Sequence, residues 1–344
     1  LACFIGVQTK NFKISYIILM KMRKIAILGI SVILTAMFNF GNIFAEKDCN
    51  WICLGGNSSH SLIQECGSIG KKMTVEWSFK TGDWVDSSPV IAEGKVFFGS
   101  LDKKAYCLDA LSGKKLWEFK TEGKINATCA YANKKIFISC LDCYFYCLDS
   151  TTGKKLWSFK SKMPIFSAPI PVENHILFGG EDRYFYCLQQ ESGKVEWKKT
   201  LPKPVYSSPA YLDGKVFVGC EDSYLYCFDF KSGNELWKTK IGTFSWGKLR
   251  CSSPTAANGR IYLGVNEADV YCVDATNGNI IWQTPVGDRA FQPAVTKDKI
   301  YVGSSDYRLY CLDEKTGDIL WTSKANSWIC DIPLVVGDKV LAPS

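Results

Sequence analysis

Sixteen cysteines, two histidines and a regularly spaced set of acids are the residues of this chain whose types suit chemistry. Thiolates serve as nucleophiles or metal ligands, imidazoles as bases or ligands, and paired carboxylates as acid–base couples. Their spacing argues against most of these uses. Cys107, Cys147, Cys187, Cys227, Cys272 and Cys311 recur inside one repeated Tyr-Cys segment. In neighbouring repeat units such positions should lie beyond the roughly 7 Å Cα separation that a disulfide can bridge, so a small buried hydrophobe is the default reading. Cys140-Leu141-Asp142-Cys143 flanks a turn instead, and it could be simple packing, close a local disulfide or present two thiolates. A lone CxxC is a weak metal signature, and the lack of any CxxCH excludes covalent haem. Cys49, Cys53 and Cys66 could contain one further bridge.

His60 and His175 are the two histidines, too few for a His metal cluster or a His-based general base. Asp102, Asp142, Asp182, Asp222, Glu267 and Asp306 could pair for acid–base work, but one falls in the same short turn of every unit. That recurrence marks turn formers, because a catalytic acid would more plausibly break the repeat than follow it. No catalytic, metal-binding or cofactor-binding residue is identified in the sequence.

The elements that must position these residues are repeats. Tyr106-Cys107-Leu108-Asp109, then Ser112-Gly113-Lys114-Lys115-Leu116-Trp117, returns in segments ending at Trp157, Trp197, Trp237, Trp282 and Trp321. A period of about forty residues signals a repeat architecture. Within 81–120 short alternating runs are separated by turns at Glu93-Gly94, Leu101-Asp102-Lys103 and Ser112-Gly113, which predicts four short antiparallel strands. The first turn recurs as Asn133-Lys134, Asp213-Gly214 and Asn258-Gly259; Asp-Gly and Asn-Gly tolerate the positive φ of a two-residue hairpin.

The predicted fold is therefore an all-β propeller of four-stranded antiparallel blades, seven in number with an eighth allowed. Its units run 81–120, 121–160, 161–200, 201–240, 241–285 and 286–324, and a seventh starts at Ala325 and reads as cut short after two strands. An orphan strand, Val75 to Lys80, is expected to close the ring by completing that last blade. Trp77, Trp117, Trp157, Trp197, Trp237, Trp282 and Trp321 fall on outer strands. Buried between blades, each is worth about 4 to 6 kcal/mol at most, which accounts for them as scaffold.

Residues 1–45 stand apart. They carry Lys10, Lys13, Lys21, Arg23 and Lys24, no acid, and an apolar run from Ile25 to Ala45. The sequence divides into 1–19, read as an over-extended reading frame, a secretory signal over 20–45, a lead-in over 46–72 and the propeller over 73–344. Cleavage after Ala45 is the first reading and an uncleaved membrane anchor the second, since the run approaches the roughly 20 residues needed to span a bilayer. Export places the protein in the periplasm or outside the cell, where so many unpaired thiols would suit an anaerobic or weakly oxidising setting. Without the leader, 36 basic and 34 acidic residues remain, which is no footprint for nucleic acid.

Asp109-Ala110 to Trp117 fits a D-A-x-x-G-K-x-x-W pattern that resembles the repeat of pyrroloquinoline-quinone-type propellers, over about 73–344. Asn50-Trp51-Ile52-Cys53-Leu54-Gly55-Gly56-Asn57-Ser58-Ser59-His60 is similar to the lead-in of secreted members, with Ser61 where a Thr is usual. The resemblance implies either a quinone-dependent dehydrogenase or a non-catalytic binding propeller of the BamB kind. Dehydrogenases of alcohols or sugars in this family use pyrroloquinoline quinone with calcium, beneath a disulfide between adjacent cysteines, and this chain has no Cys-Cys pair. They also carry long insertions, absent from most units here. The BamB-like class carries an acylated Cys directly after its signal, whereas Cys49 follows Asp48 and forms no lipobox.

Function is therefore sought where the repeat breaks. Loops leading into each blade share one face with the turns between strands two and three. Unit five inserts residues within Ile241 to Arg250 on that face, including Trp246, Lys248 and Arg250. Trp84 and Trp328 occupy other loops of the face, with Lys124, Arg183, Arg289 and Arg308 near the same rim. Aromatics with arginine are the composition of interface anchors. The expectation is an exported monomer without cofactor, binding a protein partner of the cell envelope through these residues.

Overall fold

The structure is a computed structural model that describes residues 4–9, 12–21, 52–60, 63–64, 74–242, 252–330, 332–336 and 339–342. Among them every regular element is a strand, arranged as six four-stranded antiparallel sheets and two three-stranded ones. Blade 1 consists of Val90–Ala92, Lys95–Ser100, Lys104–Asp109 and Lys115–Lys120, in that order from first to last strand. Blades 2 to 6 repeat it, starting at Ala130, Ile170, Ala210, Thr255 and Ala294. First strands of successive blades pack on one another and so line the axis.

Local chemistry fixes each blade. Glu93 and Gly94 both have positive φ, 51° and 69°, as do Asp213 and Gly214 and Asn258 and Gly259, which gives the hairpin the twist its strands need. Strand three carries a register shift after its Cys, so that Cys107 stands directly opposite Trp117 and Cys311 opposite Trp321. The recurrent cysteine is thus the small cross-strand neighbour of the recurrent tryptophan, and from Cys107 to Cys311 these thiols are 0–1% exposed.

Blades are stitched at both radii. At the outer radius the Trp117 indole N–H donates to the Ser150 carbonyl at 3.1 Å, and Trp77, Trp157, Trp197 and Trp282 make the same bond to the next sheet. The glycine of the following unit forms the seat: a Cβ on Gly153, whose φ is +70°, would lie 2.7 Å from Trp117. At the inner radius the Ser88, Ala168 and Ser208 amides donate to the hydroxyls of Thr128, Ser208 and Ser253 in the neighbouring blade.

The two end sheets differ from expectation. Thr74–Lys80 does not join the C-terminal strands; it pairs with Phe12–Lys21, itself paired with Phe4–Thr9, while Leu334–Val336 and Lys339–Leu341 take Ile63–Gln64 in parallel. Residues 4–9 and 12–21, set outside the propeller on sequence grounds, thus form strands. The reason is that Thr74–Lys80 behaves as a fourth strand: Trp77 docks on blade 1, and its inner edge needs a third strand. Phe12–Lys21 supplies one with the same register shift, Leu19 standing opposite Trp77. Most of the expected leader, 22–45, lies outside the described residues. Eight sheets fall within the expected seven or eight blades, six of them complete.

The lead-in enters the middle of the ring. Carbonyls of Ile52, Ser58 and Ser59 accept the amides of Tyr131, Tyr211 and Ala256, on the first strands of blades 2, 4 and 5, at 2.7, 2.8 and 2.8 Å. Nine residues, 52–60, therefore plug the axis and satisfy inner-strand donors that have no further strand to bond.

Candidate binding face

The face defined by the interblade loops is built by one repeated device. The residue after strand two donates its amide to the preceding loop, as Leu101 does to the Trp84 carbonyl at 2.7 Å, Leu141 to Lys124 at 3.1 Å and Ser305 to Arg289 at 3.1 Å. These bonds place Trp84, Lys124 and Arg289 at one homologous position around the ring. Trp328 shares it, since Ile329 repeats the bond that Ile125 makes, to Ser304 and Ser100 respectively. Blades 3 and 4 present Pro164 and Pro204 there.

The turn acids hold this device together. Asp102 accepts the Tyr106 hydroxyl at 2.6 Å, the Gly82 amide at 2.9 Å and the Lys104 amide at 3.1 Å. Asp142, Asp182, Asp222 and Asp306 bind Tyr146, Tyr186, Tyr226 and Tyr310 in the same way. Burial and the adjacent carboxylate push each tyrosine hydroxyl above its ordinary range. These carboxylates are consumed by the turn and the loop beneath it, so they offer no free acid–base pair.

Where the side chains lie decides what the face can do. Trp84 is half-buried; Lys124 is exposed and lies 3.7 Å from Asp83. Arg183 is exposed at a turn position with φ 67°, and Tyr307 holds the same position in blade 6 with φ 68°. Arg308 is exposed, 4.0 Å from Asp306, and Arg289 is half-buried in the adjoining loop. Trp328 is 55% exposed and Tyr307 43%, so two aromatics and two arginines converge where blade 6 meets the C-terminal sheet. Trp84 and Lys124 form a second group over blades 1 and 2. Trp246, Lys248 and Arg250 lie outside the described residues.

Blades 3 and 4 carry a sector that sequence reasoning missed. Phe166 and Tyr206 meet edge to face at 5.4 Å in the loops entering blades 3 and 4, and the Tyr206 hydroxyl donates to Glu181 at 3.2 Å. Burial, with the Glu181 carboxylate, raises the Glu221 carboxyl above its usual range. The signal was present in the unit alignment, where Glu181 and Glu221 replace Leu101 and Leu141, but only the folded ring shows that the two are neighbours.

The folded chain also decides the roles of the cysteines and histidines. Cys140 and Cys143 are both free thiols, which corrects the local-disulfide alternative. Cys140 turns inward to the Gly123 and Lys124 carbonyls at 3.5 and 3.6 Å, and burial pushes its thiol up to about 12. It replaces the hydroxyl of Ser100, which bonds the Asp83 and Trp84 carbonyls, while Cys143 occupies the left-handed turn position with φ 70°. His60 is fully buried at the end of the plug, its Nδ1 3.1 Å from the Pro254 carbonyl, and burial lowers it to about 4. His175 opens the second strand of blade 3, with Nε2 3.6 Å from Glu196.

Among the described residues no three His, Cys, Asp or Glu side chains converge on a point that could hold a metal ion. The axis, where a flat cofactor would stack, receives the backbone of 52–60 from one end.

Sheets of four antiparallel strands repeated around an axis, with Trp77 and the Trp of blades 1 to 5 each docked on the glycine of the next unit, define a β-propeller of pyrroloquinoline-quinone-like repeats. The family described as outer membrane protein assembly factor BamB matches residues 73–139, 142–292 and 266–344, and the chain belongs to that family. Among solved structures, BamB from Moraxella catarrhalis is similar at a TM-score of 0.69 and 17% identity, over 80% of this chain and 86% of that one. The computationally designed protein Ika8 is similar at a TM-score of 0.53 and 12% identity, over 76% of this chain and 93% of that one. At such identities the likeness is one of fold. No curated protein sequence matches the chain.

Proposed function

We propose that this chain is an exported, non-catalytic propeller of the cell envelope that binds a protein partner through the face of its interblade loops. One observation carries the reading: Trp328, Tyr307, Arg308 and Arg289 are gathered at one edge of that face, with Trp328 more than half exposed. A large aromatic left in water beside arginines is what a protein interface covers, and such residues dominate binding energy. Trp84, Lys124 and Arg183 extend the same face. Membership of the BamB family supports a role in envelope assembly, and the engagement of Asp102, Asp142, Asp182, Asp222 and Asp306 by their own scaffold supports a non-catalytic reading.

The test is capture of envelope proteins by the purified full-length chain. Trp328→Ala with Arg308→Ala should reduce capture at least tenfold while leaving thermal stability unchanged, and Trp246→Ala with Arg250→Ala should act likewise. Undiminished capture by both variants would remove the site assignment. Turnover of alcohols or aldose sugars, after incubation with pyrroloquinoline quinone and calcium, would replace the binding reading with an enzymatic one.

A further inference from the structure

The outer edge of blade 2 carries a charge pattern that neither the fold nor the binding face requires. Between Asp149 and Glu173 the chain has no acid and four lysines, Lys154, Lys155, Lys160 and Lys162. All four are exposed, as are Leu156 at 49% and Met163 at 44%. In blade 1, by contrast, Lys104 and Lys115 both reach Glu118, at 2.8 and 2.6 Å.

The four lysines of blade 2 have no carboxylate partner among the described residues, and the acids around them are engaged elsewhere. Asp149 accepts the Thr151 and Thr152 amides, Asp142 holds Tyr146, and Asp182 holds Tyr186 and the Lys162 amide. Instead, Lys160 lies over the Tyr144 ring at 5.6 Å, and Lys162 over Tyr184 at 5.9 Å, where Lys198 of blade 3 joins it at 4.6 Å. At a rise of about 3.3 Å per residue, the two ends of this edge are roughly 20 Å apart. Leu156 with Lys154 and Lys155 marks one end, and Met163 with Lys160 and Lys162 the other.

We propose that this edge docks on an anionic phospholipid bilayer. Ammonium groups lying over tyrosines, beside aliphatic chains exposed to water, match the boundary between headgroups and acyl chains. Lysine meets phosphate there, tyrosine sits at headgroup level, and Leu156 and Met163 enter the apolar layer. An acidic surface that carries no apolar residues would satisfy the lysines but leave both aliphatic chains in water. Standing on this edge, the propeller would bring the rim of the interblade-loop face, at Lys162 and Met163, to the membrane.

The experiment is acetylation footprinting of the full chain with vesicles of phosphatidylglycerol or phosphatidylcholine. Lys154, Lys155, Lys160 and Lys162 should be protected at least fivefold by phosphatidylglycerol alone, and protection should vanish at high salt. Charge reversal with Lys154→Glu, Lys155→Glu, Lys160→Glu and Lys162→Glu should abolish association specific to the anionic lipid. Leu156→Ser with Met163→Ser should weaken it severalfold. Lack of protection on the unmodified chain overturns the proposal whether or not the variants fold. Equal protection by phosphatidylcholine, or protection by soluble heparin in place of phosphatidylglycerol vesicles, overturns it as well.

Discussion

His60 shows how one residue can be visible in a sequence and still be misplaced by it. As one of two histidines it invites a role in catalysis, yet its ring is buried among plug and inner-strand backbone, with Nε2 lacking a hydrogen-bond partner among the described residues. No charged group contributes to its titration: burial lowers it and the Pro254 carbonyl opposes that effect. The sign comes from a folded value of about 4 against an ordinary 6.5. The neutral ring supports the fold fully above pH 6.5, and that support declines as pH falls from 6.5 toward 4, by on the order of 3 kcal/mol. Urea unfolding at pH 7 and pH 4.5 should therefore show a larger acid loss for the native chain than for His60→Gln. Equal losses would mean that His60 does not hold the plug. The turn acids were legible from recurrence alone, because a residue repeated in every unit serves the unit.

At the level of the element, one motif yields different energetics according to the sheet it docks on. Trp117, Trp197 and Trp282 are 8–9% exposed, each seated on the next unit's glycine, whereas Trp321 is 42% exposed on a strand with every residue exposed. Trp117→Ala should cost about 3 to 5 kcal/mol, and Trp321→Ala no more than about 1 to 2 kcal/mol, by chemical denaturation. Gly153→Ala should approach the Trp117 loss, since it places a methyl group 2.7 Å from that ring at a φ of +70°. Equal costs for Trp117 and Trp321 would contradict the interblade seat as the source of stability. In the sequence these glycines read as turn formers alone. Their second role was not legible, because the partner tryptophan lies a full unit earlier in the chain.

For the whole molecule, the plug joins what the repeats leave apart. Inner strands of blades 2, 4 and 5 are far apart in sequence, yet all three bond to residues 52–60. Replacing 52–60 with a Gly-Ser segment should expose the Tyr131, Tyr211 and Ala256 amides to hydrogen exchange and lower the melting temperature by roughly 5 °C. Unchanged protection at those amides would remove the plug from the account. The propeller, its strands and turns and the scaffold role of its Trp, Cys and Asp residues could all be read from the order of residues alone. Those features are set by contacts within one unit and are written again in each. The use of the lead-in, the pairing of the end strands, the acidic sector at Glu181 and Glu221 and the lysine edge of blade 2 emerged only from the folded ring. The first three depend on which residues distant in the chain become neighbours around the ring, and a forty-residue period carries no record of that; the lysines are contiguous in sequence, and the ring shows only which carboxylates they lack.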